Sequence, residues 1–512
     1  RSFQYWGIDK TLEKLNGIYA IALLDQKKSI LHLIRDFAGV KPLYFGIKKE
    51  KIIFASQYDQ IFNHPLFINS RIPNQQSLYD YIQFGYVQAP NAFFKDTWQV
   101  EPGQVVSISR SLNISKRKYF EFSSKEKDLD EMDELTISGL DNYLKGTVKR
   151  QLISDVPVGL FLSGGIDSPL ITYYVNQVNP QIETFTIGSL NPIINEANIA
   201  RKYAEFLNVV NHQYYYSNET LVNDIDEHFK AYSEPFGDYS SLPAFQVCKM
   251  AKSHFSVILG GDGGDEIFWG YPRFQKYASH FSWFNFGSTM KRISAGLGRK
   301  MGYKISYGIH MQDIGKWVAE GQSHNNSLVL SQILPQLNNS NYVKELYRFP
   351  RDIKNKNELL TWLRWNEYYG HLQRILLKID RASMYHGIEV RVPFLDREIL
   401  NYALRVRPKL SIKHEYPKYL LKQLMSQKYP MYAMNNKKMG FEIDIDNSLR
   451  TILKEEVYDL LLGRDPYPIN TFNRKYINKY IRSYFEKKSS NEWGIWILFA
   501  LQKWAQSFDI RH

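Results

Sequence analysis

Short apolar stretches separated by turn-forming residues characterise the first part of the chain. The stretches are residues 18–24, 30–34, 43–45, 52–55 and 105–108. Glycines and a proline stand between them, namely Gly39, Pro42, Gly46 and Gly103. Because short apolar runs bounded by such residues are typical of strands joined by turns, this spacing predicts an antiparallel, β-rich unit with few helices.

The pattern changes after residue 134 to an alternation of helices and strands. Predicted strands at 158–162, 184–187, 213–216 and 256–259 alternate with predicted helices at 135–151, 170–177 and 196–207. Such alternation predicts a parallel sheet wrapped by helices. Later in the chain the periodicity is mostly helical, and it ends in the apolar segment 493–504, which is typical of a packed terminal helix.

A highly charged stretch, residues 122–134, separates the two patterns. A chain of 512 residues is also too long for a single hydrophobic core. We therefore predict one domain over residues 1–121, a linker over 122–134 and a second domain over 135–512.

The composition is that of a folded protein. Hydrophobic residues make up 44% of the chain, and its 36 Tyr and 30 Phe argue against disorder. The net charge of +13 is spread along the chain and interleaved with acidic residues. We interpret it as a solvated surface and expect no nucleic-acid partner.

Further classes of protein are excluded by what the sequence lacks. No apolar run approaches the ~20 residues that span a bilayer, and the first residues lack the layout of a signal peptide, so we expect no membrane association. Cys248 is the single cysteine, which excludes an intramolecular disulfide framework and cysteine-based zinc sites and fits a reducing compartment. These features together predict a cytoplasmic protein.

A glycine-rich loop, SGGIDS at residues 163–168, stands between a predicted buried strand and a predicted helix. Its glycines allow backbone N–H groups to point at a phosphate, and the following helix presents its positive end to the same anion. Ser163 and Ser168 add hydroxyl donors, and Asp167 fits such a loop if Mg²⁺ bridges it to the phosphates. The loop lacks the Gly-Lys-Ser/Thr of the P-loop, and by itself it equally suits a tight strand-to-helix turn.

A second loop, GGDGGDE at residues 260–266, follows the predicted strand 256–259. Open parallel sheets bind ligands at the carboxyl ends of their strands, and four glycines and three acids there are costly for stability. We therefore expect Asp265 to share Mg²⁺ with Asp167. The alternative is an acidic surface turn.

A lysine pair, Lys437 and Lys438, precedes Met439 and Gly440. A lysine in such a place stabilises charge that develops on a departing phosphate group. From spacing alone, two surface lysines are the better interpretation.

Several motifs in one order resemble the glutamine-hydrolysing asparagine synthetase family. SGGIDS resembles the pyrophosphate-binding SGGxDS loop of ATP pyrophosphatases, and the supporting matches are SDVP (154–157), GDGGDE (261–266), DRAS (380–383), EVRVPFLD (389–396) and KMGF (438–441). The segments LNGIYA (15–20), RD (35–36), GVKPLY (39–44) and FAS (54–56) resemble the second half of that family's glutaminase domain.

The resemblance implies an α/β fold. Its C-terminal parallel sheet would be of the adenine nucleotide alpha hydrolase type with a PP-loop, preceded by a partial α+β Ntn-hydrolase domain, a type-2 glutamine amidotransferase. The implied reaction is ATP-dependent amidation of L-aspartate through β-aspartyl-AMP, with Mg²⁺. The implied ATP and pyrophosphate contacts are Leu162, Ser163, Gly164, Gly165, Asp167, Ser168, Ile187, Gly260 and Gly261; the metal ligands are Asp167 and Asp265; the catalytic residues are Asp262 and Lys438.

The chain departs from the family at the glutaminase nucleophile. In the family this residue is an N-terminal cysteine, whereas residue 1 here is Arg, and Cys248 lies on a predicted helix as a small buried residue. We therefore expect no glutamine hydrolysis by the chain as given, which would use free ammonia or a separate glutaminase partner. We interpret the chain as a fragment of a longer enzyme, and a homodimer is left open.

Three alternatives remain at the level of sequence. A relative of this architecture amidates another carboxylate, such as a sugar acid of a surface polysaccharide or a β-amino acid that closes a lactam. A second alternative is a non-catalytic scaffold, and a weaker third is a tRNA-modifying pyrophosphatase, for which no RNA-binding domain is evident. Arg381 and Arg391 either hold the substrate α-carboxylate or form structural ion pairs.

Overall fold

The computed structural model describes most of the chain. The described residues are 1–124, 136–191, 195–282, 314–337, 345–350, 352–412, 417–431, 443–463 and 465–510. Lys438 and most of the predicted linker 122–134 lie outside them.

Two antiparallel sheets form the first part of the chain. The strands are β1 (Ala20–Asp25), β2 (Ile30–Arg35), β3 (Tyr44–Lys48), β4 (Lys51–Ala55), β5 (Thr97–Gln99), β6 (Gln104–Ser109) and β7 (Ile114–Lys118). One sheet has the order β1-β2-β6-β7 and the other β4-β3-β5. The helices are α1 (Ser2–Lys14, kinked at Gly7), α2 (Asp59–Phe62) and α3 (Gln75–Phe84). The five predicted strands are confirmed.

The second part contains a five-stranded parallel sheet, as predicted. Its strands are β8 (Val158–Phe161), β9 (Glu183–Ser189), β10 (Val210–Tyr216), β11 (Val257–Leu259) and β12 (Glu389–Arg391), in the order β10-β9-β8-β11-β12. All four residues of β8 are buried, as expected for a strand covered on both faces. From β8 the chain adds β9 and β10 on one side of the sheet. It then adds β11 and β12 on the other side of β8, so the strand order reverses between β8 and β11.

Helices surround this sheet and form the rest of the chain. Those just before its first strand, between its first four strands and just after them are α4 (Thr136–Gln151), α5 (Asp167–Asn176), α6 (Ala197–Leu207), α7 (Asn218–Ala231), α8 (Ser241–Ala251), α9 (Gly264–Ile267) and α10 (Pro272–Ser279). The later helices are Ile314–Gln322, Ser327–Ile333, Lys356–Tyr369, His371–Tyr385, Arg397–Arg405, Pro408–Ser411, Tyr419–Lys428, Ile445–Arg450, Lys454–Tyr458, Arg474–Phe485 and Glu492–Ser507. None of the helices in the described ranges combines the length and apolar character that crossing a membrane requires.

The terminal helix Glu492–Ser507 packs against the first part of the chain. Trp504 is fully buried, and its ring lies 5.1 Å from that of Phe93. The hydroxyl of Tyr81 in α3 donates a hydrogen bond of 3.0 Å to the carbonyl of Ile497. The two parts of the chain therefore share one buried core, which also fixes how the first part sits on the parallel sheet.

Candidate active site

The two glycine-rich loops lie side by side because their preceding strands are paired. In the parallel register of β8 and β11, Leu160 stands opposite Leu259. Residues 163–168 and 260–266 therefore leave the sheet at the same edge, where its strand order reverses. Open parallel sheets bind ligands at such a point.

Hydroxyl groups hold the first loop in a closed turn. The N–H of Ser163 donates to Oγ of Ser168 at 2.9 Å, and the two Oγ atoms are 3.0 Å apart. The N–H of Gly165 donates to Oγ of Ser163 at 3.3 Å. Helix α5 begins at Asp167, so the loop curls around the positive end of a ten-residue helix, which is an arrangement suited to an anion.

Glycines of the second loop let it touch the first. A Cβ on Gly261 would lie 2.6 Å from the backbone nitrogen of Ser168. A Cβ on Gly264 would overlap the carboxylate of Asp167, and Gly263 has a φ of 98°, which favours glycine. No side chain larger than hydrogen therefore fits at these contacts without separating the loops.

Substituting Gly261 with Ala is expected to lower the rate of the ATP-dependent reaction that the sequence predicts for this site by about 10²-fold, because even a 1 Å displacement of reacting groups has this effect. The measurement is the consumption of ATP at saturating Mg-ATP. Gly17→Ala is the matched control, since a Cβ on Gly17 meets nothing within 4 Å. Equal rates for the two variants would show that the contact between the loops has no role in activity.

Asp167 and Asp265, one from each loop, converge on a single cation. Nζ of Lys418 lies 2.6 Å from Oδ1 of Asp265 and also pairs with Oδ2 of Asp167. Lys418 is only 4% exposed. Burial by itself lowers the pKa of Lys418, but the two carboxylates outweigh burial and raise it above its ordinary value.

Lys418 is a site residue that the sequence analysis missed. It stands at the start of the helix Tyr419–Lys428 with a φ of 57°, and no glycine-rich loop or predicted strand marks it. The only signal in the sequence is a second lysine, Lys422, one helical turn later. That lysine is also buried, and burial together with the charge of Lys418 lowers its pKa.

The arrangement of Asp167 and Asp265 fits a divalent cation. Both carboxylates face one positive charge, and carboxylate oxygens are the ligands that Mg²⁺ prefers. Their side chains are 15% and 12% exposed, so neither carboxylate is fully enclosed, and phosphate oxygens and water would complete the coordination.

The remaining predicted residues lie around this pair. Leu162 and Ile187 are buried, and Leu162 packs against Ala200 and Ala204 of α6. The N–H of Gly260 donates to the carbonyl of Arg391 at 2.8 Å, which holds the start of the second loop. Asp262 is half-buried in that loop. The predicted role of Lys438 stays a prediction, because residues 432–442 lie outside the described ranges.

Arg381 and Arg391 have structural partners. Arg381 is fully buried, pairs with Glu234 at 3.0 Å and donates to the carbonyl of Ser56. Arg391 pairs with Glu389 at 2.6 Å and donates to backbone carbonyls at the end of α4, those of residues 151 and 153. Of the two interpretations left open by the sequence, these contacts favour structural ion pairs.

Known proteins resemble this chain over most of its length. The asparagine synthase family model matches residues 139–506, and a glutamine amidotransferase domain model matches residues 1–120. Glutamine-hydrolyzing asparagine synthetase 1 of Bacillus subtilis (strain 168) is 26% identical over 97% of this chain and 78% of that protein. A putative asparagine synthetase 2 of Methanocaldococcus jannaschii is 30% identical over 51% of this chain and 50% of its own length. Asparagine synthetase B of Escherichia coli (strain K12) is 21% identical over 93% and 70% of the two chains.

Proposed function

Because the chain belongs to the asparagine synthase family, a family of ATP-using ligases, we propose that it amidates L-aspartate to L-asparagine through β-aspartyl-AMP. The observation that carries the proposal is the pair Asp167 and Asp265. Both carboxylates contact the ammonium group of Lys418 between two glycine-rich loops at the carboxyl edge of the sheet. We also propose the domain limits 1–121 and 135–512, with the linker 122–134 between them.

The reaction has two steps. The side-chain carboxylate of aspartate attacks the α-phosphorus of ATP, and the bond to pyrophosphate breaks, which leaves β-aspartyl-AMP. Ammonia then attacks the activated carbonyl carbon, the bond to AMP breaks, and nitrogen loses a proton. Activation is needed because a free carboxylate is a poor electrophile, whereas AMP is a good leaving group.

The first loop and α5 would hold the pyrophosphate. The backbone of Gly164 and Gly165 and the hydroxyls of Ser163 and Ser168 surround the start of α5, whose dipole favours an anion. Asp167 and Asp265 would hold Mg²⁺, which would neutralise phosphate charge when bound.

Other residues would position ATP and serve the second step. Leu162, Ile187, Gly260 and Gly261 would contact ATP through their backbone and apolar packing. Asp262, half-buried in the second loop, would deprotonate the incoming ammonia. Lys438 would balance the charge that develops as pyrophosphate leaves.

Ammonia is the proposed nitrogen donor for the sequence as it stands. Its single thiol, Cys248, is fully buried in α8, and burial raises the pKa of that thiol. A buried, protonated thiol does not serve as a glutaminase nucleophile.

Aspartate, Mg-ATP and ammonium are expected to yield AMP, pyrophosphate and asparagine in equal amounts, and glutamine is expected not to replace ammonium. The measurement is chromatographic quantitation of AMP and asparagine from the purified protein. If AMP release requires ammonium and a carboxylate other than aspartate, that carboxylate is the substrate in place of aspartate. Tight Mg-ATP binding without turnover on any carboxylate would favour a scaffold, and asparagine formed from glutamine alone would contradict the proposed nitrogen donor.

A further inference from the structure

Three side chains with metal-binding atoms meet at the amino ends of the strands, on the edge of the sheet opposite the glycine-rich loops. Glu183 is the first residue of β9, His212 is the third of β10, and His254 precedes β11 by three residues. Nε2 of His212 is 2.7 Å from Oε2 of Glu183, and Nδ1 of His254 is 3.9 Å from the same oxygen. The three ligand atoms lie within 4.8 Å of one another.

Strand register brings the first two side chains together. In the parallel pairing of β9 and β10, Phe185 stands opposite His212. Glu183 lies two residues before Phe185, and alternate residues of a strand share a face. The carboxylate and the imidazole therefore lie on one face of the sheet as a consequence of its topology.

A glycine in the intervening strand lets the third side chain reach them. Gly159 of β8 lies between β9 and β11 in the sheet, and a Cβ there would be 3.0 Å from the ring of Phe255 and 3.3 Å from that of Phe185. Because Gly159 has no side chain, the two rings pack over β8 with their centroids 5.7 Å apart. Because Phe255 packs over β8, the neighbouring His254 lies close to Glu183 of β9.

The imidazoles of His212 and His254 rest on the apolar ring of Phe185. Phe185 is fully buried, and its ring lies 5.0 Å from that of His212, nearly parallel to it, and 5.3 Å from that of His254. The outer side is open, since the side chains of Glu183, His212 and His254 are 35%, 31% and 39% exposed. An ion therefore has access from solvent while the ligands are held from beneath.

We propose that Glu183, His212 and His254 form a binding site for a divalent transition metal of the zinc type. A tetrahedral ion with bonds of about 2.1 Å needs ligand atoms about 3.4 Å apart. The separations of Oε2 of Glu183 from the two imidazole nitrogens, 2.7 and 3.9 Å, bracket that value, so small side-chain rotations suffice. Water would take the fourth position.

The ligand set selects the class of metal. Two imidazoles and one carboxylate suit Zn²⁺, Co²⁺, Ni²⁺ or Cu²⁺, whereas Mg²⁺ prefers oxygen ligands in an octahedron. The alternative to a metal site is a hydrogen bond between Glu183 and His212. That bond alone gives no reason for the imidazole of His254 to lie beside the same carboxylate. Bound metal would tie the segment before β11 to β9 and β10, and it would stabilise the sheet rather than take part in the reaction at the opposite edge.

Titration calorimetry of Zn²⁺ into chelator-treated protein, with millimolar Mg²⁺ present to fill carboxylate sites, is expected to show one bound equivalent. His212→Ala and His254→Ala are each expected to weaken binding by about tenfold or more, since even loss of an outer-shell partner has such an effect. His280→Ala changes a partly exposed histidine near Trp317 that lies outside the cluster, so it is the matched control and is expected to keep wild-type affinity.

A second measurement separates loss of the site from loss of the fold. Wild-type protein with Co²⁺ is expected to show a visible d–d absorption band that Zn²⁺ abolishes, and Glu183→Gln is expected to change that band while far-UV circular dichroism stays the same. The proposal is overturned if wild-type protein shows no saturable Zn²⁺ binding below about 100 μM, a limit far weaker than that of zinc sites in proteins. It is also overturned if the two histidine variants bind Zn²⁺ as the His280→Ala control does.

Discussion

Asp167→Asn is expected to lower the rate of aspartate-dependent AMP formation by about 10²–10³-fold, as loss of a preorganised electrostatic group does in other active sites. Asn keeps the size of the side chain but removes the negative charge of Asp167. With Asp265, that charge faces the ammonium group of Lys418 between the two loops. The measurement is the steady-state rate of AMP release as Mg²⁺ is varied at fixed ATP. The Mg²⁺ concentration for half-maximal rate is also expected to rise.

Asp155→Asn is the control for this variant. Asp155 is exposed in the segment that leads into β8, so the substitution makes the same chemical change near the same strand but outside the loops. Its rate is expected to stay within about twofold of wild type, as is usual for surface changes. A rate for Asp167→Asn close to that of the control would remove Asp167 from the proposed metal site and with it the main support for the proposed function.

The predicted strand 184–187 alternates threonine with apolar residues, whereas most of the other predicted strands contain runs of apolar residues. β8 is the clearest case, because burial on both faces leaves no polar position to confuse the pattern. β7 was not predicted, since all five of its residues are exposed at a sheet edge. β12 was missed because it has only three residues, two of them charged, and it becomes a strand only by pairing with β11.

The meeting of Asp167 with Asp265 followed from local reasoning, and the contact with Lys418 did not. Each aspartate follows a strand of one parallel sheet, so both were expected at the carboxyl edge. Lys418 is 251 residues from Asp167 in sequence, and only the tertiary fold brings it there. Apart from the second lysine, Lys422, the sequence of its helix has no feature that marks a site.

Several residues of the matched motifs serve the framework. Asp380 pairs with Lys41 at 2.8 Å, and Arg381 shares Glu234 with the hydroxyl of Tyr44. These contacts join the first part of the chain to the second. The motif DRAS, residues 380–383, therefore joins the two parts of the chain, whatever its role in catalysis. The sequence alone does not distinguish a structural role from a catalytic one.

Lys418→Met is expected to lower the free energy of unfolding, measured without Mg²⁺, by about 3 kcal/mol, the usual effect of removing one partner from a buried ion pair. Met preserves most of the side-chain volume but leaves the carboxylates of Asp167 and Asp265 facing each other without a positive charge. The measurement is urea denaturation followed by circular dichroism.

Addition of Mg²⁺ to the Lys418→Met variant is expected to restore its stability, and the apparent affinity for Mg²⁺ is expected to exceed that of wild type. The reason is competition: in the wild-type protein Mg²⁺ must displace the ammonium group from the same two carboxylates, and in the variant it does not. Lys422→Met is the matched control, because Lys422 is also buried on the same helix but has a lowered pKa, which indicates that positive charge is unfavourable there. The control is expected to keep the wild-type response to Mg²⁺, and an unchanged or weaker Mg²⁺ affinity for Lys418→Met would show that the lysine does not occupy the cation's place.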